Sequence, residues 1–141
     1  MSETILRLIA DLEQAFNRGD AARFLGVFAP DAVVYDPSLP EPIKGHVAIR
    51  EWFTKGHAIF PDMKLERVRA FAEGELASVE YVETGTHKGP FPGPGGSMIP
   101  ATGRAYRHRE GFVFRVVGGK IVEWRLYWDV LGVMAQLGLT S

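Results

Sequence analysis

The stretch from Arg104 to Asp129 constrains the fold more than any other part of the chain. It runs RAYRHREGFVFRVV, then GGK, then IVEWRLYWD. In both arms aromatic and β-branched residues alternate with charges, the period-two pattern of a sheet with one buried face. On the first arm Tyr106, Glu110, Phe112, Phe114 and Val116 share a face opposite Arg107, Arg109, Val113 and Arg115. On the second, Val122, Trp124, Leu126 and Trp128 oppose Glu123, Arg125 and Tyr127. The two apolar faces must meet across the turn. A two-residue Gly118-Gly119 turn would set Phe114 against Glu123. A three-residue loop of Gly118, Gly119 and Lys120 with a bulge pairs Phe114 with Trp124, Phe112 with Leu126 and Arg115 with Glu123, and that register is expected. Glu110 then falls opposite Trp128, an acid among aromatics.

The rest of the chain supplies what closes over this hairpin. Ile5, Leu8, Ile9, Leu12 and Phe16 recur at helical spacing, so residues 3–17 form an amphipathic helix that Gly19 ends. Asp20 is placed to cap a short second helix carrying Phe24, Leu25 and Phe28, stopped by Pro30. A strand over 32–36 is cut off by Pro37. A third helix over 46–59 buries Val47, Ile49, Trp52 and Phe53. Strands over 63–71 and 76–87 follow, joined at Gly74. GPFPGPGGSMIPATG is too rich in Pro and Gly for regular structure and reads as a mobile flap over a cavity mouth. Residues 130–137 form a last helix. Helices first and then a run of antiparallel strands make an α+β fold, and 141 residues without a linker or repeat suit one domain, 1–141.

Composition removes several function classes. The net charge of −1 offers no field for nucleic acid or an anionic membrane. The arginines of RAYRHR fall on both faces of their strand, which also argues against a nucleic-acid groove. Without cysteine there is no disulfide, thiolate metal site or cysteine nucleophile. No histidine pair, and no histidine with a carboxylate, has helical metal spacing, so no metal and no other cofactor is expected. The N-terminus has no secretory signal pattern and no stretch reaches membrane-spanning length, so a cytoplasmic protein is expected.

FNRGD, FAPDAVVYDP, AIREWF, FPDMKLE, the GTHKGPF and PATGR pair, VVGGKIVEWRLYWD and the final LGVMAQLGL together resemble the cone-shaped α+β superfamily of nuclear transport factor two and ketosteroid isomerase. Within it the chain is most similar to the SnoaL-like polyketide cyclases. The resemblance implies a strongly curved antiparallel sheet, closed by the N-terminal helices around one conical hydrophobic cavity. It also implies a homodimer through the outer face of the sheet.

Site residues carried over by resemblance give a mixed picture. DAVVYDPSLPEPIKG resembles the isomerase segment in which the aspartate before proline shuttles the proton, which makes Asp36 the candidate base. A carboxylate in an apolar cavity loses hydration and becomes a better base near neutral pH. The alternative is an Asp-Pro turn whose side chain bonds local amides. The isomerase oxyanion donors fall on Leu12 and Phe112. The cyclase acid/base aspartate and its assisting histidine fall on Leu126 and Phe112. None of these side chains can move a proton. Asp129 lies three residues beyond the aspartate position and suits a helix N-cap. His87 and Glu110 are the candidate acids, His87 because it closes a strand on the face of Tyr81 and Glu83, Glu110 because an acid between aromatics must be paired or protonated. Tyr35, Trp52, Phe112, Phe114, Trp124, Leu126, Trp128 and Asp129 are the expected substrate contacts. His108, between two arginines, is placed at the loop edge, and His57 beside a helix C-terminus.

The function these residues point to is proton-transfer chemistry, without a cofactor, on a small apolar polyketide- or terpenoid-like molecule: cyclisation, isomerisation or dehydration. Two alternatives stay open. One is a non-catalytic carrier using the same cavity; the other is an epoxide hydrolase, for which no inward arginine is evident.

Overall fold

The structure, a computed structural model, describes residues 2–140. Helix α1 (Ser2–Arg18) buries Ile5, Ile9, Leu12, Ala15 and Phe16 along one stripe, and ends where Gly19 takes φ +66°. Asp20 accepts the Arg23 N–H at 3.1 Å and caps α2 (Ala21–Gly26). That helix stops at Gly26, not at Pro30, and Phe28 opens β1 (Phe28–Tyr35). Pro30 is tolerated there because the ladder is irregular between Phe28 and Val33 and asks no N–H of it. After β2 (Ile43–Lys44), helix α3 (Gly45–Ile59) buries Ile49 and Phe53 with Trp52 half-buried. Val47 departs from expectation and is 77% exposed. Two residues from Ile49 it lies roughly 200° around the helix, on the solvent side.

Strands β3 (Lys64–Glu73) and β4 (Leu76–Thr86) form a hairpin. The Pro/Gly segment holds more order than expected. A small ladder pairs β5 (Phe91–Pro92) with β6 (Met98–Ile99) across a 3-10 turn at Pro94–Gly96. Strand β7 (Ala105–Val117) and β8 (Lys120–Tyr127) then form the long hairpin, and α4 (Val130–Gln136) follows. The curved main sheet has the order β2-β1-β8-β7-β4-β3. Its pairs are antiparallel except β1 with β8, which run parallel.

The hairpin has the expected register: Phe114 pairs with Trp124, Phe112 with Leu126 and Arg115 with Glu123. Its route to that register differs from the sequence expectation. Val117 pairs with Lys120 across a two-residue turn, with Gly118 and Gly119 at φ +59° and +77°, the primed geometry that matches strand twist. The extra residue is absorbed one step later, where the register shifts between Arg115 and Val116. Arg115 and Glu123 are neighbours but not an ion pair: Arg115 bonds Glu75 at 3.0 Å and Glu123 takes Arg125 at 2.8 Å.

The core lies between the inner face of the sheet and α1 to α3. Trp124 is fully buried, with ring centroids of Phe112 at 5.0 Å, Trp52 at 5.4 Å and Phe114 at 5.5 Å. His57 ties α1 to α3, its ring nitrogens 3.0 Å and 2.8 Å from the Phe53 and Phe16 carbonyl oxygens. Among the described residues no helix is long and apolar enough to cross a membrane.

Candidate active site

A cavity of about 760 Å³ opens between α3, the inner face of the β7–β8 hairpin and the β5–β6 segment. Phe16, Phe53, Met63, Phe112, Trp124 and Leu126 make it apolar over most of its wall. Several of its polar residues gather around Trp128: Asp36 accepts the Trp128 indole N–H, and the His108 ring lies 5.7 Å from the Trp128 ring. Glu83 and Glu110 complete this end.

Asp36 follows the last residue of β1 and combines both of its expected behaviours. Oδ1 accepts Ser38 N–H at 3.0 Å and the Ser38 hydroxyl at 2.9 Å, the local turn bonds of an Asp-Pro segment. Oδ1 also accepts the Trp128 indole at 3.0 Å, and Oδ2 accepts the Trp52 indole at 3.0 Å. Two cavity tryptophans therefore fix the carboxylate, and Oδ2 keeps room for a further donor.

Strand β7 builds the other acid. Its inward face runs Tyr106, His108, Glu110, Phe112, and β4 sets Glu83 directly across from His108. His108 Nε2 is 3.5 Å from a Glu83 oxygen and 3.8 Å from a Glu110 oxygen. The Tyr106 hydroxyl donates to Glu83 at 2.5 Å. Gly85 makes this possible, since a Cβ there would stand 2.7 Å from the Tyr106 ring. Burial, then the Glu83 carboxylate and its hydrogen bond, and then Asp36, push Glu110 well above the usual carboxylate range. Burial and the Glu83 charge likewise push the Tyr106 hydroxyl up, so it stays a donor.

The expected site residues are thus only partly brought together. Asp36, Glu110, Trp52, Phe112, Trp124, Leu126 and Trp128 line the cavity. His87 does not. It is fully buried between Phe60 and Phe91, with Nδ1 accepting the Thr102 N–H at 3.2 Å and lying 3.0 Å from the Thr102 hydroxyl. It pins the end of the Pro/Gly segment, because β4 keeps its register through Gly85 and carries the ring behind the cavity wall. Phe114 packs wholly into the core. Tyr35 lies under the Arg125 guanidinium at 4.1 Å, and Asp129 caps α4 by accepting Gly132 N–H at 2.8 Å.

Glu83, His108 and Tyr106 were not expected in the site. Strand parity was their signal: His108 sits between Tyr106 and Glu110 on one face, so its place at the loop edge is corrected by the unbroken β7 ladder. Donor atoms of Glu83, His108 and Glu110 all lie within 4.8 Å of one another, close enough to face one cation. A search for helical spacing could not find this set, which is built across two strands. The same closeness sets carboxyl oxygens of Glu83 and Glu110 within 4.8 Å of each other, an arrangement that favours a proton on the pair. A carboxyl that holds its proton beside a carboxylate fixed by four donors gives one site both an acid and a base.

Comparison with known proteins agrees with this architecture. The SnoaL-like polyketide cyclase profile matches residues 7–137. Aklanonic acid methyl ester cyclase DnrD of Streptomyces peucetius is 29% identical over 140 residues, covering 96% of this chain and 91% of that protein. Wild-type IdmH from Streptomyces antibioticus is 31% identical with a TM-score of 0.77, over 94% of this chain and 97% of that one. A SnoaL-like protein from Jannaschia sp. CCS1 reaches a TM-score of 0.87 at 18% identity, over 99% and 95% of the two chains, which shows the fold alone. With helices packed on a curved mixed sheet, and a profile match over nearly its whole length, the chain belongs to the SnoaL-like polyketide cyclase family.

Proposed function

We propose that the protein is a cyclase that closes a ring in a bulky, largely apolar polyketide-type substrate by moving protons, without a cofactor. The observation that carries this reading is a large, mostly apolar cavity that holds, toward Trp128, a carboxylate fixed by two indole N–H groups and the buried Glu110 carboxyl, which burial pushes well above the usual carboxylate range. Asp36 removes a proton from the carbon beside a substrate carbonyl. The enolate carbon attacks a second carbonyl of the same molecule, forming the carbon–carbon bond and breaking the C=O π bond. The alkoxide oxygen takes a proton from the acid end. The product is an isomer of the substrate; loss of one water afterwards would make the step a cyclodehydration. The positions of the usual cyclase pair, Leu126 and Phe112, supply only apolar wall.

Aklanonic acid methyl ester, the substrate named for the DnrD relative, is the first probe. The expected result is a product of unchanged mass and altered retention. Asp36→Asn should slow its formation by roughly a hundredfold or more, the scale of a positioned base. A panel of polyketide ketones that bind without turnover would instead make the protein a carrier. Epoxide hydrolysis through an Asp–Arg–Asp set has no support here, as none of the cavity-lining residues is arginine. We further propose a homodimer through the outer sheet face, where exposed Val68, Phe71, Val117 and Tyr127 lie among arginines and glutamates.

A further inference from the structure

We propose that Glu83 and Glu110 share one proton and act with His108 as the acid of this site: Glu83 and His108 present the proton to the cavity, and Glu110 is a positioning residue that keeps it there. The use made of the proton rests on the cyclase reading; the existence of the shared proton does not.

The geometry assigns the roles. Side-chain exposure is graded across the cluster, 13% for Glu83, 8% for His108 and 2% for Glu110. Glu83 and His108 are the more open to a substrate, whereas Glu110 borders the cavity with almost no exposed surface. Glu83 is the hub. One of its oxygens takes the Tyr106 hydroxyl and faces His108 Nε2, and Glu110 is its carboxyl partner. Glu110 Oε1 is buried with no partner, tolerable for a neutral carboxyl and costly for a carboxylate. The charged and titratable groups facing the pair are Asp36 from the end of β1, Tyr81 beside Glu83 on β4, and Tyr106 and His108 on β7. No lysine or arginine is among them. The only lysines lining the cavity, Lys44 and Lys55, are exposed. Two carboxyl groups with oxygens within 4.8 Å, one of them almost without solvent, resist ionising together, so the pair holds a proton in common. In the reaction that proton passes to the alkoxide oxygen, which becomes the hydroxyl. The doubly charged pair left behind is unstable and is reloaded through solvent with the proton Asp36 took from carbon.

Infrared titration of protein carrying 13C-labelled glutamate tests this without any substrate. The expected result is one glutamate that keeps the protonated-carboxyl band at pH values where the others have lost it. Glu110→Gln abolishes that band, Glu83→Gln moves its titration to lower pH, and Asp36→Asn keeps the band and moves its titration less. In turnover, Glu110→Gln lowers kcat at least tenfold with little change in KM and shifts the alkaline limb of the pH profile, and Glu110→Asp restores part of the rate. Far-UV circular dichroism checks that each variant is folded. The proposal is overturned if every glutamate titrates in the ordinary range, if Glu83→Gln titrates like the wild type, or if the purified protein carries a stoichiometric divalent metal. A persistent band with no turnover of any polyketide probe overturns the cyclase reading and leaves the shared proton standing.

Discussion

Replacing Asp36 by asparagine separates what this carboxylate does for the fold from what it does for a substrate. Oδ1 accepts three donors and Oδ2 accepts one, the Trp52 indole. Asparagine has a single oxygen, and its best placement is against the three. Its NH2 then faces the Trp52 N–H at about the present 3.0 Å, donor against donor. One hydrogen bond to a charged group is lost, worth about 1.5–3 kcal/mol, and the half-buried position favours the lower end. Trp52→Phe removes the same bond from the other side. Urea denaturation of Asp36→Asn, Trp52→Phe and the double variant should therefore give a coupling energy of about 1 kcal/mol or more. The same cycle with Trp128→Phe should couple more weakly, since the asparagine oxygen still accepts that indole. A Trp52 coupling below about 0.3 kcal/mol, or a stronger coupling to Trp128, would refute the assignment of bonds. Turnover gives the second axis: Trp52→Phe keeps the Asp36 carboxyl group and most of the rate, and Asp36→Asn does not.

Three further outcomes follow from the same structure. Glu110 has its folded-state pKa raised, so the folded protein keeps a proton that the unfolded chain releases above about 4.5; stability present below that pH is lost as pH rises toward the folded value, at up to about 1.4 kcal/mol per pH unit. Glu110→Gln lacks this slope, so its urea-derived stability should equal the wild type near pH 4.5 and gain on it above; parallel curves would falsify the shift. Sedimentation at micromolar concentration should show a dimer, and charge reversal at Arg125 together with Tyr127→Glu should release monomer; a wild-type monomer removes the sheet interface. Hydrogen exchange should be fastest at Gly95 and Gly96, while the Lys88 and Gly89 amides, both bonded to the Ile59 carbonyl, are protected; uniform protection across 88–102 would mean that this segment does not open.

The inward face of β7 and β8 was legible because alternation leaves one option: Phe112, Phe114, Trp124 and Leu126 can be buried together in only one register. Asp20 and Asp129 were legible as caps from their place before short apolar runs. The acid cluster was half legible. Parity alone sets His108 beside Tyr106 and Glu110, yet flanking arginines made it look like part of a solvated run. Its partner Glu83 depends on the β4–β7 register, a long-range pairing that no local pattern encodes. His87 had the right parity for the cavity, but where the strand ends and Thr102 meets the ring is a matter of three-dimensional closure. The bulge beside Val122 was invisible because either route through the turn gives the same partners.

The parallel pairing of β1 with β8 sets an order on how the molecule can be made. Val34 lies beside Trp124, and the Asp36–Trp128 bond spans 92 residues, so one wall of the cavity comes from each end of the chain. Strands β3, β4 and β7 can pair through nearby hairpins, but sealing the chamber waits for the last strand to dock against the first. Such distant closure is slow because loop entropy is lost before the contacts form. Until then the aromatic wall of the hairpin is open to solvent and to other unfinished chains. A ligand seated between Asp36 and Trp128 would staple the first strand to the last, and would raise the stability of the whole chain by mass action. A chain cut before Lys120 would lose the strand that joins β1 to β7, and could keep the β7-β4-β3 part of its sheet yet have no chamber to fill.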